Sequence, residues 1–314
     1  MKKYIDLHVH TTRSDGRYTP EQLVDMAVKS NIGVIAITDH NVLSPDTRPL
    51  ENRHPGAITL LTGSEISCRH TFHNGETKEI HVVTLMYDKN DAPNLEKVVM
   101  KNREHNREGY ISAILEKLKD CGIDIGSYGE LCAEVGESGH VGRMHLAEKM
   151  VKKAYVHSIS EAFDIYIGDF GLKRAYVPSE IEYVSMREAI NAALSDGAVP
   201  VLAHLYYYQL TEAGQEELLE AFKEYTGEFG AMETEYRRYT EEQRILLRTY
   251  ADRYGLARSG ASDFHGFDEK ETLCNCFPYE LYEDILGRKC RLDASRRDKN
   301  GLYDMSDIIE DKDE

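Results

Sequence analysis

Hydrophobic and polar positions along the chain switch between the two-residue period of strands and the longer period of helices. Short apolar runs predict strands after the opening one at 33–38, 58–62, 79–86, 199–203, 231–236 and 256–261. Helical patterns lie before or between several of them, at 20–30, 185–195, 215–225 and 241–254. Strands that alternate with helices predict a parallel α/β layer or barrel.

The first predicted helix has a well-marked start. Thr19 is placed to cap it, Pro20 suits the first helical position, and Gln22 completes a capping box. The continuous run GVIAIT after this helix is typical of a strand buried on both faces. Strand, helix and strand therefore follow one another from the beginning of the chain.

The alternation is interrupted in the middle of the chain. From about 95 to 179 the pattern becomes helical and highly charged, and Ile111, Ile114 and Leu118 share one apolar helix face. Gly122 follows at a position where glycine commonly ends a helix. We predict four sections: an N-terminal α/β section over residues 1–94, a helical insertion over 95–179, a C-terminal α/β section over 180–270 and an extension over 271–314 with an acidic tail.

The composition indicates a sizeable globular core and a strongly acidic surface. Of 314 residues, 41% are apolar, which is enough for a substantial core. The 38 basic and 55 acidic residues give a formal charge of −17. Because nonspecific binding to a duplex needs many basic contacts with phosphate, we do not expect duplex nucleic acid as a partner. A bound anion would need a local attraction.

Cysteine usage and hydropathy favour a cytoplasmic protein. Six cysteines occur without zinc-finger spacing, which is typical of a reduced protein. Cys274 and Cys276 are only a weak candidate for a metal pair, since no second pair lies near them. We find no signal-peptide segment and no membrane-spanning run, so no membrane partner is expected. The sequence leaves the oligomeric state open.

Histidines and acidic residues recur where the predicted strands end. Ligands in parallel α/β folds bind beyond the carboxyl ends of strands, and strand residues two apart share a face, so His8 and His10 point the same way. The nine residues at such positions are His8, His10, Asp15, His40, Glu65, His81, His204, Asp263 and His265. One such histidine is usually structural, but nine together predict a metal centre. They suit two or three divalent ions of Mn, Fe or Zn, because nine ligands exceed the capacity of one ion.

The motifs that carry these residues resemble the PHP family, the polymerase and histidinol phosphatase superfamily of metal-dependent phosphoesterases. They are, in order over residues 1–270, HVHTTRSDG, AITDHN, TGSEIS, LAH and GASDFHG. GRMH at 142–145 and RAYVP at 174–178 are similar to a subgroup that acts on nucleoside phosphates. The resemblance implies a distorted seven-stranded (β/α) barrel of PHP type with a helical insertion and three metals at its carboxyl rim.

The resemblance also implies how the ligands are shared among the ions. The three sets are His8, His10, Glu65 and Asp263 for the first, Glu65, His81 and His204 for the second, and Asp15, His40 and His265 for the third. Asp39 would orient a ligand histidine through its other ring nitrogen, although a turn cap is an equal alternative.

The expected chemistry is hydrolysis of a phosphate ester by a metal-bridging hydroxide, with no side-chain nucleophile. Three divalent ions outweigh the three ligand carboxylates, which leaves a positive centre that attracts a compact phosphorylated substrate. Arg143 and His145 are candidates to contact the phosphate or leaving group, and Lys173 is a weaker one, because basic side chains bind phosphate oxygens. A solvated helix end is the alternative for them. The tyrosines at 206–208 could stack on a base, but packing is the commoner role.

Nucleoside monophosphates or 3′,5′-bisphosphates are the first choice of substrate. Cyclic nucleotides or cyclic sugar phosphates, histidinol phosphate and the 5′ end of a short oligonucleotide remain open, because Leu205 stands where relatives usually have proline. A metal-stabilised interaction module without turnover and a hydrolase of nonphosphate substrates are two further classes. The complete ligand set favours the phosphoesterase.

Overall fold

Seven strands form one sheet whose spatial order is the order of the chain. The computed structural model describes residues 4–104, 107–135, 141–168, 172–177, 183–267, 273 and 277–298. The strands are β1 Tyr4–Val9, β2 Ile32–Ile37, β3 Thr59–Thr71, β4 Thr77–Leu85, β5 Val199–Leu202, β6 Ala231–Tyr236 and β7 Ala257–Ala261. The two outer strands also meet, since the N–H of Asp263 donates to the carbonyl of His8 and that of His10 to Phe264, both at 2.9 Å. The sheet is therefore nearly closed into a barrel.

Helices connect most of the strands. They are α1 Pro20–Lys29, α2 Thr47–Glu51, α3 Pro93–Glu104, α4 Arg107–Asp120, α5 Tyr128–Val135, α6 Arg143–Lys152, α7 Ile159–Ala162, α8 Met186–Ser195, α9 Glu212–Thr226, α10 Glu241–Tyr254 and α11 Glu280–Asp298. The predicted capping box of Thr19 and Gln22 is confirmed at the start of α1. In the region of the chain described, we find no helix with the length and apolar character needed to cross a membrane.

One strand runs against the expectation of a parallel sheet. β4 is antiparallel to both β3 and β5, whereas the remaining neighbours in the sheet are parallel. The reason is local, because β3 is 13 residues long and turns back through a tight loop that contains Asn74 and Gly75. Asn-Gly is a strong hairpin signal, and Gly75 has the positive φ of 81° that such a turn requires. The seven-stranded α/β barrel is confirmed, with a mixed rather than an all-parallel sheet.

The barrel interior is filled by apolar side chains from every strand. One buried cluster joins residues of all seven, Ile5, Val34, Leu61, Val83, Val201, Ala231 and Ala257 among them. Leu281 and Ile285 of α11 pack into the same cluster, and the N–H of Ile5, near the start of β1, donates to the carbonyl of Phe277. The C-terminal helix therefore covers the end of the barrel at which the parallel strands begin. The opposite end, the carboxyl rim, is free of it.

The middle of the chain has an apolar core of its own, here called the insertion core. It contains buried residues between Ile111 and Ala175, including Ile114, Leu118 and Leu146. The apolar face predicted for α4 is thus confirmed, and Gly122 after it has a φ of 78°. The division into four sections stays a prediction. Cys274, Cys276 and the acidic tail lie outside the described residues.

Candidate metal centre

A bulge in β1 aims two histidines into the carboxyl rim. Between Asp6 and Val9, β1 advances three residues while β2 advances only from Ile35 to Ile37. Such an extra residue re-aims the side chains that follow it. Leu7 still packs in the barrel interior, whereas Val9 packs outside it, in the cluster that contains residues of α1. His8 and His10 consequently both face the rim, with their Nε2 atoms 3.1 Å apart.

Two carboxylates complete the group around these imidazoles. Oε2 of Glu65 lies 3.1 Å from His8 Nε2 and 3.2 Å from His10 Nε2. Oδ1 of Asp263 lies 3.1 Å from His10 Nε2 and 3.6 Å from His8 Nε2. The four side chains implied for the first ion therefore converge on one point.

The other oxygen of Glu65 faces two more histidines. Oε1 lies 2.7 Å from His81 Nδ1 and 3.0 Å from His204 Nε2, as implied for the second ion. Glu65 lies in the middle of β3 rather than at the strand end, because this strand continues beyond the rim into the hairpin. His81 reaches the same rim from the middle of β4, which runs antiparallel to β3. A fully buried carboxylate thus lies between two groups of imidazoles.

The third group gathers around Asp15 in the loop after β1. His265 Nε2 is 3.4 Å from Oδ1 of Asp15, and His40 Nε2 is 3.8 Å from Oδ2. His10 joins this group, with its ring stacked on His265 at a centroid distance of 4.1 Å. Gly16 follows Asp15, and any Cβ there would lie 2.5 Å from the backbone of His10. Glycine therefore allows the loop to fold back closely over the rim.

The donor atoms of these residues fit divalent metal ions. Within the described ranges, three groups have potential ligand atoms within 4.8 Å of one another: His10, Asp15, His40 and His265; His8, His10 and Glu65; His40, Glu65 and His81. Among the described residues, the buried Oε2 of Glu65 and Nδ1 of His10 and of His204 make no hydrogen bond. Buried polar atoms without partners are costly, and a cation between them removes that cost. Imidazole and carboxylate together suit Mn, Fe or Zn.

The charges at the rim are strongly coupled. Burial disfavours an ionised Glu65, yet His40, His8 and His81 together hold the pKa of its carboxyl well below its usual range. Burial likewise lowers the pKa of His81, but Glu65 and Glu79 outweigh it and raise that pKa to about 10. Protons and metal ions therefore compete for the same nitrogen atoms.

Glu233 is a buried carboxylate that the sequence reasoning missed. Its Oε1 lies 2.7 Å from His8 Nδ1, and its Oε2 accepts from the backbone N–H of His204 at 2.7 Å. The first contact places a proton on Nδ1, so that Nε2 would be the atom that binds a metal ion. The second contact stabilises the backbone of His204, whose φ of 25° lies in the strained left-handed region. The available signal was an acidic residue inside the predicted strand AMETEY.

Asp39 and Tyr236 form hydrogen bonds with other residues at the rim. The resemblance implied that Asp39 orients a ligand imidazole, but its oxygens accept from the N–H and hydroxyl of Thr11 and the hydroxyl of Ser14, at 2.6–2.8 Å. It therefore fixes the loop that carries Asp15, whereas the carboxylate of Glu233 contacts the imidazole of His8. The Tyr236 hydroxyl donates to Oδ2 of Asp263 at 2.8 Å.

The insertion reaches the rim through the amino end of α6. A Cβ on Gly142 would lie 3.7 Å from Cβ of Asp15, and the N–H of Gly142 donates to Nδ1 of His145 at 3.0 Å. Burial raises the pKa of Glu79, while its contact with His81 and the nearby charge of Arg143 lower it below its usual range. Lys173 is exposed, with its ammonium 4.9 Å from the Tyr176 ring, and no described contact joins it to the ligands.

Known proteins share both the sequence pattern and this fold. A model of the PHP domain matches residues 6–177. A Haemophilus influenzae protein named 5′-3′ exoribonuclease is 32% identical over 266 residues, 84% of this chain and 91% of that protein. A Chromobacterium violaceum protein named 3′,5′-nucleoside bisphosphate phosphatase is 25% identical over 83% of this chain and 87% of its own length. A solved Bifidobacterium adolescentis structure assigned as a metal-dependent phosphoesterase has a TM-score of 0.74 at 26% identity, with 91% and 96% coverage.

The matched domain covers more than half of the chain, and the relative from Haemophilus aligns over most of both proteins. The barrel and the cluster of histidines and carboxylates at its rim agree with this match. The chain therefore belongs to the PHP family and is a metal-dependent phosphoesterase.

Proposed function

We propose that this phosphoesterase degrades short single-stranded RNA from its 5′ end, by hydrolysis of the ester on the 3′ oxygen of the terminal nucleotide. The observation that carries the proposal is the convergence on Glu65, where side chains from separate strands meet beside the amino end of α6. A phosphate that reaches this point meets ligands from the barrel and a helix amino end from the insertion.

The ligand sets would be shared as the family resemblance implies, with Glu65 between the first two. When bound, divalent ions supply Lewis-acid charge to a phosphoryl oxygen and lower the pKa of coordinated water. The chain itself keeps His8 in one tautomer through Glu233 and fixes Asp15 through the loop that Asp39 holds. The task of these residues is to hold the ligand atoms in place before substrate arrives.

The insertion would supply the contacts with the substrate phosphate. Arg143 begins α6 directly after Gly142, which adjoins Asp15, and its charge acts on Glu79, while its Nη1 donates to the carbonyl of Ile167 at 3.5 Å. Its guanidinium would turn from that carbonyl to the substrate phosphate, next to the donors of the helix amino end. Elsewhere the chain is strongly acidic, with a net charge of −17, which disfavours contact along a long RNA backbone. Because the attraction for phosphate is confined to the rim, it suits the phosphorylated end of an RNA strand.

The choice of RNA rests on the names of relatives and on shared chemistry. The relative at 32% identity is named for action on RNA from its 5′ end, and the one at 25% for nucleoside 3′,5′-bisphosphates. An RNA end with a 5′-phosphate and a bisphosphate both carry phosphate on the 3′ and 5′ oxygens of one ribose. Hydrolysis of 3′,5′-bisphosphates is therefore the second candidate, and it requires no further contact with the protein.

A hydrolysis panel with Mn²⁺ tests the proposal. We expect a 5′-phosphorylated pentaribonucleotide to release nucleoside 5′-monophosphates one at a time, and adenosine 3′,5′-bisphosphate to release phosphate. His10→Ala should abolish both reactions, whereas His54→Ala, a histidine paired with Asp25 on the surface, should retain them. Cleavage of cyclic or sugar phosphates alone would refute the proposal. Cleavage of the bisphosphate but not of the RNA would refute the exonuclease activity and support the second candidate, hydrolysis of 3′,5′-bisphosphates.

A further inference from the structure

One buried asparagine forms hydrogen bonds with three separate parts of the chain. Asn102 lies in the last turn of α3 and is 6% exposed. Its Nδ2 donates to Oδ1 of Asn41 at 2.8 Å and to the carbonyl of Ser67 at 2.7 Å. Its Oδ1 accepts from the backbone N–H of Val184 at 3.1 Å. Both donor hydrogens and the oxygen of this amide are therefore used.

The first two partners of Asn102 belong to the rim. Asn41 directly follows the candidate ligand His40, and its N–H donates to the carbonyl of Glu65 at 2.8 Å. Ser67 lies two residues after Glu65 in β3, and its N–H donates to the amide of Asn41 while its hydroxyl accepts from it, each at 3.2 Å. Asn102 thus contacts segments that other hydrogen bonds already fix beside the metal centre.

Asn102 and its third partner lie on the two connections between the barrel and the insertion. The chain leaves the barrel through α3, which packs against α8, and continues into α4. Val184 lies on the return, just before α8 begins. Its carbonyl accepts from the N–H of Arg69 in β3 at 2.9 Å, so the returning connection also contacts the barrel. A single side chain therefore joins the outgoing connection, the returning connection and the rim.

The helices of the insertion pack mainly on one another. The buried residues of the insertion core all lie between Ile111 and Ala175, and helices α4–α7 make their principal contacts within this group. A unit with its own core keeps its orientation to a neighbour only through the contacts that join the two, and relative motion is expected when those contacts are weak. The orientation of the insertion over the rim should therefore depend strongly on its two connections.

We propose that Asn102 is a positioning residue that holds both connections against the rim and so sets where α6 stands over the metal centre. This inference rests on the proposed function, in which the amino end of α6 and Arg143 meet the substrate phosphate. Asn102 acts through the insertion and not on the substrate itself. Loss of its amide leaves the buried N–H of Val184 without this acceptor, which favours a rearranged connection.

A distance measurement tests the placement without any substrate. Nitroxides on azide-bearing amino acids, which leave the six cysteines unmodified, would replace exposed Glu116 of α4 and Glu220 of α9. Electron spin resonance then gives the distribution of distances between the two labels. We expect one narrow distribution in the wild type and one about twofold wider in Asn102→Ala, because a loosened interface allows relative motion. Labels at Glu21 and Glu220, both on barrel helices, should keep their distribution in every variant.

Asn94→Ala is the matched control. Asn94 lies in the first turn of the same helix, and its Nδ2 donates to Oδ1 of Asp196 at 2.7 Å, which ties α3 to the end of α8 rather than to the rim. This variant should keep the wild-type distribution. Asn102→Asp, which serves if Asn102→Ala does not fold, keeps an acceptor for Val184 but loses both donors to the rim, so it should also widen the distribution. Wild-type widths in the Asn102 variants would refute the assignment.

Kinetics test whether Asn102 acts through the phosphate contact of the insertion. We expect Asn102→Ala to lower kcat/KM for the 5′-phosphorylated pentaribonucleotide about ten- to a hundredfold, chiefly through KM, with unchanged manganese affinity. In an Arg143→Ala background the same substitution should have little further effect, because the contact that it positions is already absent. Fully additive losses, or weaker manganese binding in Asn102→Ala, would contradict the proposal.

The distance measurement also separates this inference from the proposed function. A widened distribution in Asn102→Ala, in a protein that cleaves neither RNA nor bisphosphate, would refute the function and retain the placement of the insertion by Asn102. An unchanged distribution would refute the positioning role whatever the protein cleaves.

Discussion

The carboxyl rim and the insertion core show two opposite uses of burial. The rim buries His8, His10 and Glu65 almost completely and holds His204 and Asp263 at φ angles of 25° and 52°. The insertion core instead buries apolar side chains, and Ile114, Leu118 and Leu146 are 0% exposed. Strain and buried charge cost stability and persist where a function requires them, whereas apolar burial stabilises without any ligand. The rim should therefore depend on metal ions, and the insertion core should not.

The largest effect should follow Glu65→Gln. Both oxygens of Glu65 face imidazoles, so the amide removes a negative charge that two ligand sets share. We expect kcat to fall on the order of a thousandfold or more, with loss of bound metal. Steady-state kinetics and metal analysis check this. More than a tenth of wild-type activity would show that Glu65 is not central to the rim.

Leu146→Ala should destabilise the insertion core and leave the rim unchanged. Leu146 is fully buried in the insertion core, so its truncation should lower the free energy of unfolding by about 2–5 kcal/mol. Denaturant unfolding measures the loss, and metal titration should show unchanged affinity at temperatures where the variant is folded. A large change in metal affinity would mean that the two regions are not separable.

Glu233→Gln should weaken metal binding about ten- to a hundredfold. The amide can accept from only one of the two groups that the carboxylate contacts, the His8 ring and the His204 backbone. Competition with a manganese indicator gives the dissociation constant. Glu235→Gln is the control, because Glu235 pairs with Arg248 away from the ligands. Equal affinities in the two variants would remove Glu233 from the metal centre.

The smallest expected effect is the release of protons when metal ions bind. Neighbouring carboxylates outweigh burial and raise the pKa of His81 to about 10, so its ring carries a proton at pH 7, and they also raise the pKa of His8. Metals bind the neutral ring, so binding should release protons, and affinity should rise with pH. Calorimetry in buffers of different ionisation enthalpy measures the release. Binding without proton release at pH 7 would contradict this electrostatic description.

The sequence predicts local features well and tertiary pairing less well. The capping box at Thr19 and the bounds of β6 and α10 match the structure because helix caps and apolar periods are encoded in adjacent residues. Nine candidate ligands were recognisable because their chemistry is visible at predicted strand ends. The structure brings them together, and their roles as ligands stay a prediction.

Features that depend on contacts between distant segments were not recognisable. The bulge in β1 arises from its pairing with β2, and Glu233 acquires its contacts only when β6 pairs with β5 and its side chain meets that of His8 from β1. The reversed direction of β4 had a local signal in Asn74 and Gly75, which the strand and helix alternation outweighed.

The number of metal ions per chain tests the central claim most directly. Purified wild-type protein would be reconstituted with Mn²⁺, separated from unbound metal and analysed for metal and protein, with His10→Ala in parallel. We predict two or three ions per wild-type chain and fewer in the variant, because His10 lies in two of the ligand groups. One ion or fewer per wild-type chain would contradict a multi-metal centre at the rim.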